Sequence, residues 1–220
     1  MKIVCIIFIL LFFALQINAQ VHFGVKAGYN NSSVNYRGKG KIIYQSNAAF
    51  QFGVTGEMGI KKSFLLKAGL LFNQKGNFGD NSAMSPARYQ RSRFRLNYLE
   101  TDIVFAYKIK LGKNININAG VGPFIGIGLF GTEKGNDYIL GNPQTIDRKI
   151  VFSSNERSNV SQTYFKPIDF GLNFNASVNY KKYLLYLNFG KGLVDRVSSD
   201  SPDWNSRNEV FTMGLGYYFK

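Results

Sequence analysis

Asn114-Ile115-Asn116-Ile117-Asn118-Ala119-Gly120-Val121-Gly122-Pro123-Phe124-Ile125-Gly126-Ile127-Gly128-Leu129 carries a repeat of two. Ile115, Ile117, Ala119, Val121, Ile125 and Ile127 fall on one side of the chain, and Asn116, Asn118, Gly120, Gly122, Gly126 and Gly128 on the other. Successive side chains of an extended chain point to opposite faces, so the pattern describes a strand with one apolar face and one polar or glycine-rich face. It runs far past the roughly 5–6 residues usual for a strand in a soluble domain. The same alternation recurs at 23–29, 50–60, 64–72, 98–109, 168–179, 183–189 and 211–219, which makes eight two-faced strands.

The connections fall into two alternating length classes. Residues 61–63, 111–113 and 181–182 read as tight turns, whereas 31–47, 74–94, 131–167 and 190–209 are long and rich in Gly, Asn, Ser, Asp, Arg and Lys. Four structureless connections of that size would be unusual in a compact soluble domain. Short turns at one end and long loops at the other, with an even strand number, are instead the asymmetry of an outer-membrane barrel. Backbone polar groups cannot go unsatisfied in lipid, so a sheet that crosses it must close on itself. The expected fold is therefore all-β: an eight-stranded, antiparallel, up-and-down transmembrane β-barrel with both termini in the periplasm. A ring of that size is filled by its own side chains, so conduction through it is not expected.

Length and composition agree with this. The 220 residues suit one domain, and a hydrophobic share of 45% with mean hydropathy of −0.12 is too apolar for a disordered chain and too polar for a bundle of membrane helices. Met1-Lys2, an unbroken apolar run of thirteen residues at 3–15 and Ala19 before Gln20 read as a secretory signal peptide. The run is too short for a membrane-spanning helix, which needs about 20 apolar residues. The expected organisation is a cleaved signal at 1–19 and a barrel domain at 20–220, targeted to the bacterial outer membrane. Cys5 leaves with the signal, so the mature chain can form neither a disulfide nor a thiolate metal cluster. The formal charge is +14, and loss of Lys2 leaves 26 basic against 13 acidic residues.

Six blocks then carry a family resemblance. Gly24-Val25-Lys26-Ala27-Gly28, Leu70-Leu71-Phe72-Asn73-Gln74-Lys75-Gly76, Leu96-Asn97-Tyr98-Leu99-Glu100-Thr101-Asp102, Ala119-Gly120-Val121-Gly122-Pro123, Asp169-Phe170-Gly171-Leu172 and Gly214-Leu215-Gly216-Tyr217-Tyr218-Phe219 occur in that order. Together they resemble the PorT-type outer-membrane β-barrel proteins of Bacteroidetes. The resemblance covers essentially the whole mature chain. It implies an eight-stranded outer-membrane barrel whose namesake is tied to protein export by the type IX secretion system.

Several constellations have a chemical and a structural interpretation. Glu100 and Asp102 are two apart on a strand, roughly 6–7 Å, a separation that two-carboxylate hydrolases also use. Their face points inward, where an unpaired charge is costly, and the same lumen receives Lys26, Glu57, Lys67 and Asp169. An internal ion-pair network is the expectation, with no catalytic residue. The glycines of Gly120-Val121-Gly122 and Gly126-Ile127-Gly128 recur within a strand, whereas a dinucleotide-binding loop needs a turn and a helix start. His22 is the only histidine, which leaves little for a zinc site or a nucleophile–base pair. No cofactor or metal is expected.

Arg88, Arg91, Arg93 and Arg95 cluster in the second long connection, interleaved with Tyr89 and Phe94. Nucleic acid would attract such a run, but export to the envelope argues against it. Outer-membrane lipid and the phosphates of lipopolysaccharide suit arginine's fork geometry better. Secretion or envelope proteins are the other expected partners, and the chain is expected to act as a monomer. The functional expectation is a non-enzymatic integral outer-membrane protein with a structural or interaction role. Its rivals are a small barrel enzyme acting on lipid or peptide at the membrane, and a soluble secreted barrel that binds a ligand inside.

Overall fold

A computed structural model describes residues 21–37, 43–82, 87–154, 162–196 and 205–219; the signal expected at 1–19 lies outside them. Ten strands follow one another: β1 Val21–Arg37, β2 Ile43–Lys61, β3 Phe64–Asp80, β4 Arg88–Leu111, β5 Ile115–Ile139, β6 Asn142–Phe152, β7 Gln162–Phe165, β8 Ile168–Tyr180, β9 Tyr183–Gly192 and β10 Asn205–Tyr218. Eight of them close a ring in the order β1-β2-β3-β4-β5-β8-β9-β10, with β10 returning to β1. Every pairing around that ring is antiparallel. β6 lies antiparallel along the upper part of β5, and β7 adds to it in parallel.

The two faces are inverted relative to a soluble barrel. Phe105, Ile127 and Leu215 on the outside are 59%, 56% and 67% exposed, while Asn30, Asn118 and Thr212 inside are 0–1% exposed. A wall that turns phenylalanine, isoleucine and leucine outward and asparagine inward is built for hydrocarbon. The soluble ligand-binding alternative required the opposite sidedness and is set aside.

The chain departs from the sequence expectation at the long-loop end. The described residues of 74–94 and 131–167 are not structureless: β3 extends to Asp80 and β4 already begins at Arg88, and the second stretch contains the top of β5, all of β6 and β7. The outward face there changes from apolar to charged, so the hydrophobic alternation stops although the hydrogen-bonded ladder does not. β5 also changes phase. Leu129 is an extra residue between the pairs Tyr98–Gly128 and Asn97–Phe130, so outward positions switch from Ile125 and Ile127 to Phe130, Thr132 and Lys134. Asn97 Nδ2 donates to the Phe130 carbonyl at 3.1 Å and so satisfies the backbone at the bulge.

Above the level where β8 and β9 end, β6 and β7 take their place in the wall. The Lys166 amide donates to the Arg196 carbonyl at 2.8 Å, and the Arg196 amide donates to the Ser206 carbonyl of β10 at 3.0 Å. Inside this upper ring Leu96, Tyr98, Ile150 and Phe165 form an apolar cluster flanked by Phe94 and Phe152. Aromatic side chains gird both ends outside. Phe64–Tyr107 and Tyr183–Tyr217 meet at the short-turn end, and Phe52–Phe72 and Phe72–Phe130 at the other.

Candidate functional site

Strand alternation delivers the inward charges. Odd positions of β3 face the lumen, so Lys67, Asn73, Lys75 and Asn77 line one stripe, and even positions of β4 add Glu100 and Asp102. Lys75 lies at the centre. Its ammonium pairs with Glu100 and, at 2.9 Å, with Asp169 of β8; all three side chains are 2–3% exposed. The same ammonium sits 4.3 Å from the centroid of Phe124 and 5.3 Å from that of Tyr98, which is attractive because ring faces are electron-rich. Asn208 Nδ2 donates to Asp169 at 2.9 Å, so the carboxylate is held from two sides.

A second cluster lies nearer the short turns. Lys26 meets Asp102 at 3.4 Å, and Lys67 Nζ donates to Ser177 at 2.8 Å. Glu57 is the direct cross-strand neighbour of Lys67. The void between these groups holds about 20 Å³, room for one water rather than a file of ions. Between the two clusters, Asn30 donates to Asn73 at 2.7 Å and accepts from Thr212 at 2.8 Å, which knits β1, β3 and β10 across the lumen.

Of the six inward residues singled out from sequence, Glu100 and Asp169 are joined through one ammonium, Lys26 and Asp102 form a pair, and Glu57 and Lys67 are cross-strand neighbours. Glu100 and Asp102 do not act on a common point, because each is engaged by its own lysine. Lys75 was missed, although carrying the inward stripe of Leu65, Lys67, Gly69, Leu71 and Asn73 two residues further would have placed it. Arg196 was missed as well. It donates to Asn77 at 2.8 Å and Ser206 at 2.7 Å and lies 5.1 Å from the Phe165 ring centroid, which ties the apolar cluster to the wall. No local sequence pattern marks it.

The four rim arginines separate into two sets. Arg91, Arg93 and Arg95 extend the outward stripe of Leu99, Ile103 and Phe105, whereas Arg88 lies on the other face and pairs with Asp137 at 3.0 Å. Arg91 pairs with Asp80 at 2.9 Å. Partial burial raises the pKa of the Asp80 carboxyl, but hydrogen bonds from Ser82 and the Arg91 guanidinium outweigh it and hold the group below its ordinary range.

Comparison with known proteins fits this geometry. The sequence matches, over residues 16–196, the family described as outer membrane protein beta-barrel domain. No match is found among curated protein sequences. Similar solved structures include the attachment invasion locus protein Ail of Yersinia pestis, at 11% identity over 90% of this chain and 99% of that one, with a TM-score of 0.40. Neisserial surface protein A gives 11% over 90% and 97% with a TM-score of 0.42, and OprG of Pseudomonas aeruginosa gives 11% over 90% and 95% with 0.48.

Proposed function

The chain belongs to the outer membrane protein β-barrel domain family and resides in the bacterial outer membrane, and on that premise we propose that it is a non-enzymatic, plugged scaffold. Its work is to present the rim beyond the membrane to other envelope components. The observation that carries this is the lumen. Lys75, Glu100 and Asp169 engage one another at its centre beneath the cap of Leu96, Tyr98, Ile150 and Phe165. Polar groups held in this way stabilise a wall and are withdrawn from solutes. A role accessory to protein secretion or envelope assembly follows from the PorT-type resemblance of the six sequence blocks. Deletion of the gene tests it: loss of surface-exported proteins supports the secretion role, and normal export in the deletion strain overturns it while leaving the scaffold intact.

A further inference from the structure

We propose that the outward face of the upper β3–β6 sheet binds the phosphates of lipid A, the phosphorylated glycolipid of the outer leaflet, through Arg93, Arg95 and Lys149. The register lays this face out as a grid. Arg95 stands opposite Gly76 and Thr132, and Thr132 opposite Lys149; one row higher, Arg93 stands opposite Phe78 and Lys134, and Lys134 opposite Asp147. Rows are separated by roughly 7 Å along the strands and columns by about 4.8 Å, so the three cations lie within the span of a phosphorylated sugar headgroup.

The charges on this face are not balanced. Asp80 neutralises Arg91, and Asp147 neutralises Lys134 at 3.0 Å. Among the described residues no carboxylate lies within ion-pair distance of Arg93, Arg95 or Lys149, all of which are exposed. Arg93 stands directly across from Lys134, and because Asp147 is engaged by Lys134 at 3.0 Å, the Arg93 charge is left for an external anion. Depth in the membrane names the anion. The row of Arg95 and Lys149 is one step above Phe130, whose ring is 6.4 Å from Phe72 in the aromatic girdle, and such girdles mark the boundary between hydrocarbon and headgroups. Cations one step above that boundary on the long-loop side meet outer-leaflet phosphates, which guanidinium forks grip in bidentate fashion. No local pattern marks Lys149; β6 brings it opposite Thr132, in the same row as Arg95.

The test is native mass spectrometry of the purified barrel titrated with phosphorylated lipid A, with dephosphorylated lipid A and with phosphatidylglycerol. The wild type is expected to retain phosphorylated lipid A at least tenfold more tightly than the other two. Arg93→Ser/Arg95→Ser/Lys149→Ser is expected to lose that margin, whereas Arg88→Ser, on the opposite face, keeps it. A heat-dependent gel shift checks that each variant is folded. Equal retention of the dephosphorylated lipid, equal retention by a folded triple variant, or displacement of lipid A by an equal amount of phosphatidylglycerol overturns the proposal. The wild-type comparison of the two lipid A forms decides the matter even if the triple variant does not fold.

Discussion

Lys75 is the side chain on which the interior depends. Removing one partner of a buried ion cluster leaves uncompensated charge, which typically costs about 3–5 kcal/mol. Lys75→Met strands Glu100 and Asp169 in this way, so its unfolding free energy in lipid bilayers is expected to fall by about that much. The triple change Lys75→Met/Glu100→Gln/Asp169→Asn removes the charge altogether and should recover most of the loss; no recovery would mean that lysine packing rather than charge matters. At the rim, Asp80 ties the top of β3 to Arg91. Because its folded pKa is depressed, its contribution is complete above the ordinary carboxylate pKa and disappears as pH falls through the lower, folded value. Amide exchange at the top of β3 and β4 should therefore quicken in strong acid in the wild type. In Asp80→Asn the exchange should already be fast at neutral pH.

Among the elements, β4 and β5 show how tightly two strands can be drawn together. Their pairing skips Ile103 and Val104 opposite Gly122 and Pro123, where proline has no N–H to give. A Cβ at Gly122 would lie 1.8 Å from the Ile103 carbonyl oxygen, so only glycine permits this approach. Gly122→Ala is expected to destabilise the barrel by about 1–3 kcal/mol, measured as a lower urea midpoint with the fold retained. An unchanged midpoint would show that the strands can separate at no cost. Gly120 is equally confined, since a Cβ there would lie 2.4 Å from the Phe105 carbonyl oxygen and 2.7 Å from the Ala106 Cβ. The bulge at Leu129 could not be anticipated, since Leu129 and Phe130 are both apolar and nothing local says which one is extra.

For the molecule as a whole, a wall apolar outside and a lumen filled from Lys26 to Arg196 predict a barrel that does not conduct. Planar bilayers containing the purified protein should show no stable single-channel openings; steady, reproducible openings would contradict the filled lumen. Sidedness can be measured in cells. Single cysteines at Leu172 and Phe174 should resist a water-soluble maleimide, whereas one at Arg93 should react from outside. Labelling at Leu172 would place water where the ring exposes its apolar face.

The period of two was enough to establish the all-β class, the eight strands of the ring, the placing of Lys26, Glu57, Lys67, Glu100, Asp102 and Asp169 on the polar faces of their strands, and the division into short turns and a long-loop end; that the polar faces look inward was decided by the closed ring, which leaves Phe105 and Leu215 exposed and Asn30 and Asn118 buried. Alternation is a local property of the extended backbone, so it survives in the linear chain. Which inward charges meet, the replacement of β8 and β9 by β6 and β7 in the upper wall, and the parting of Arg88 from Arg91, Arg93 and Arg95 emerged only on folding. Those facts depend on register and closure: Lys75 reaches Asp169 across 94 residues of sequence because the ring curves one strand over another, and no neighbouring residue records that distance.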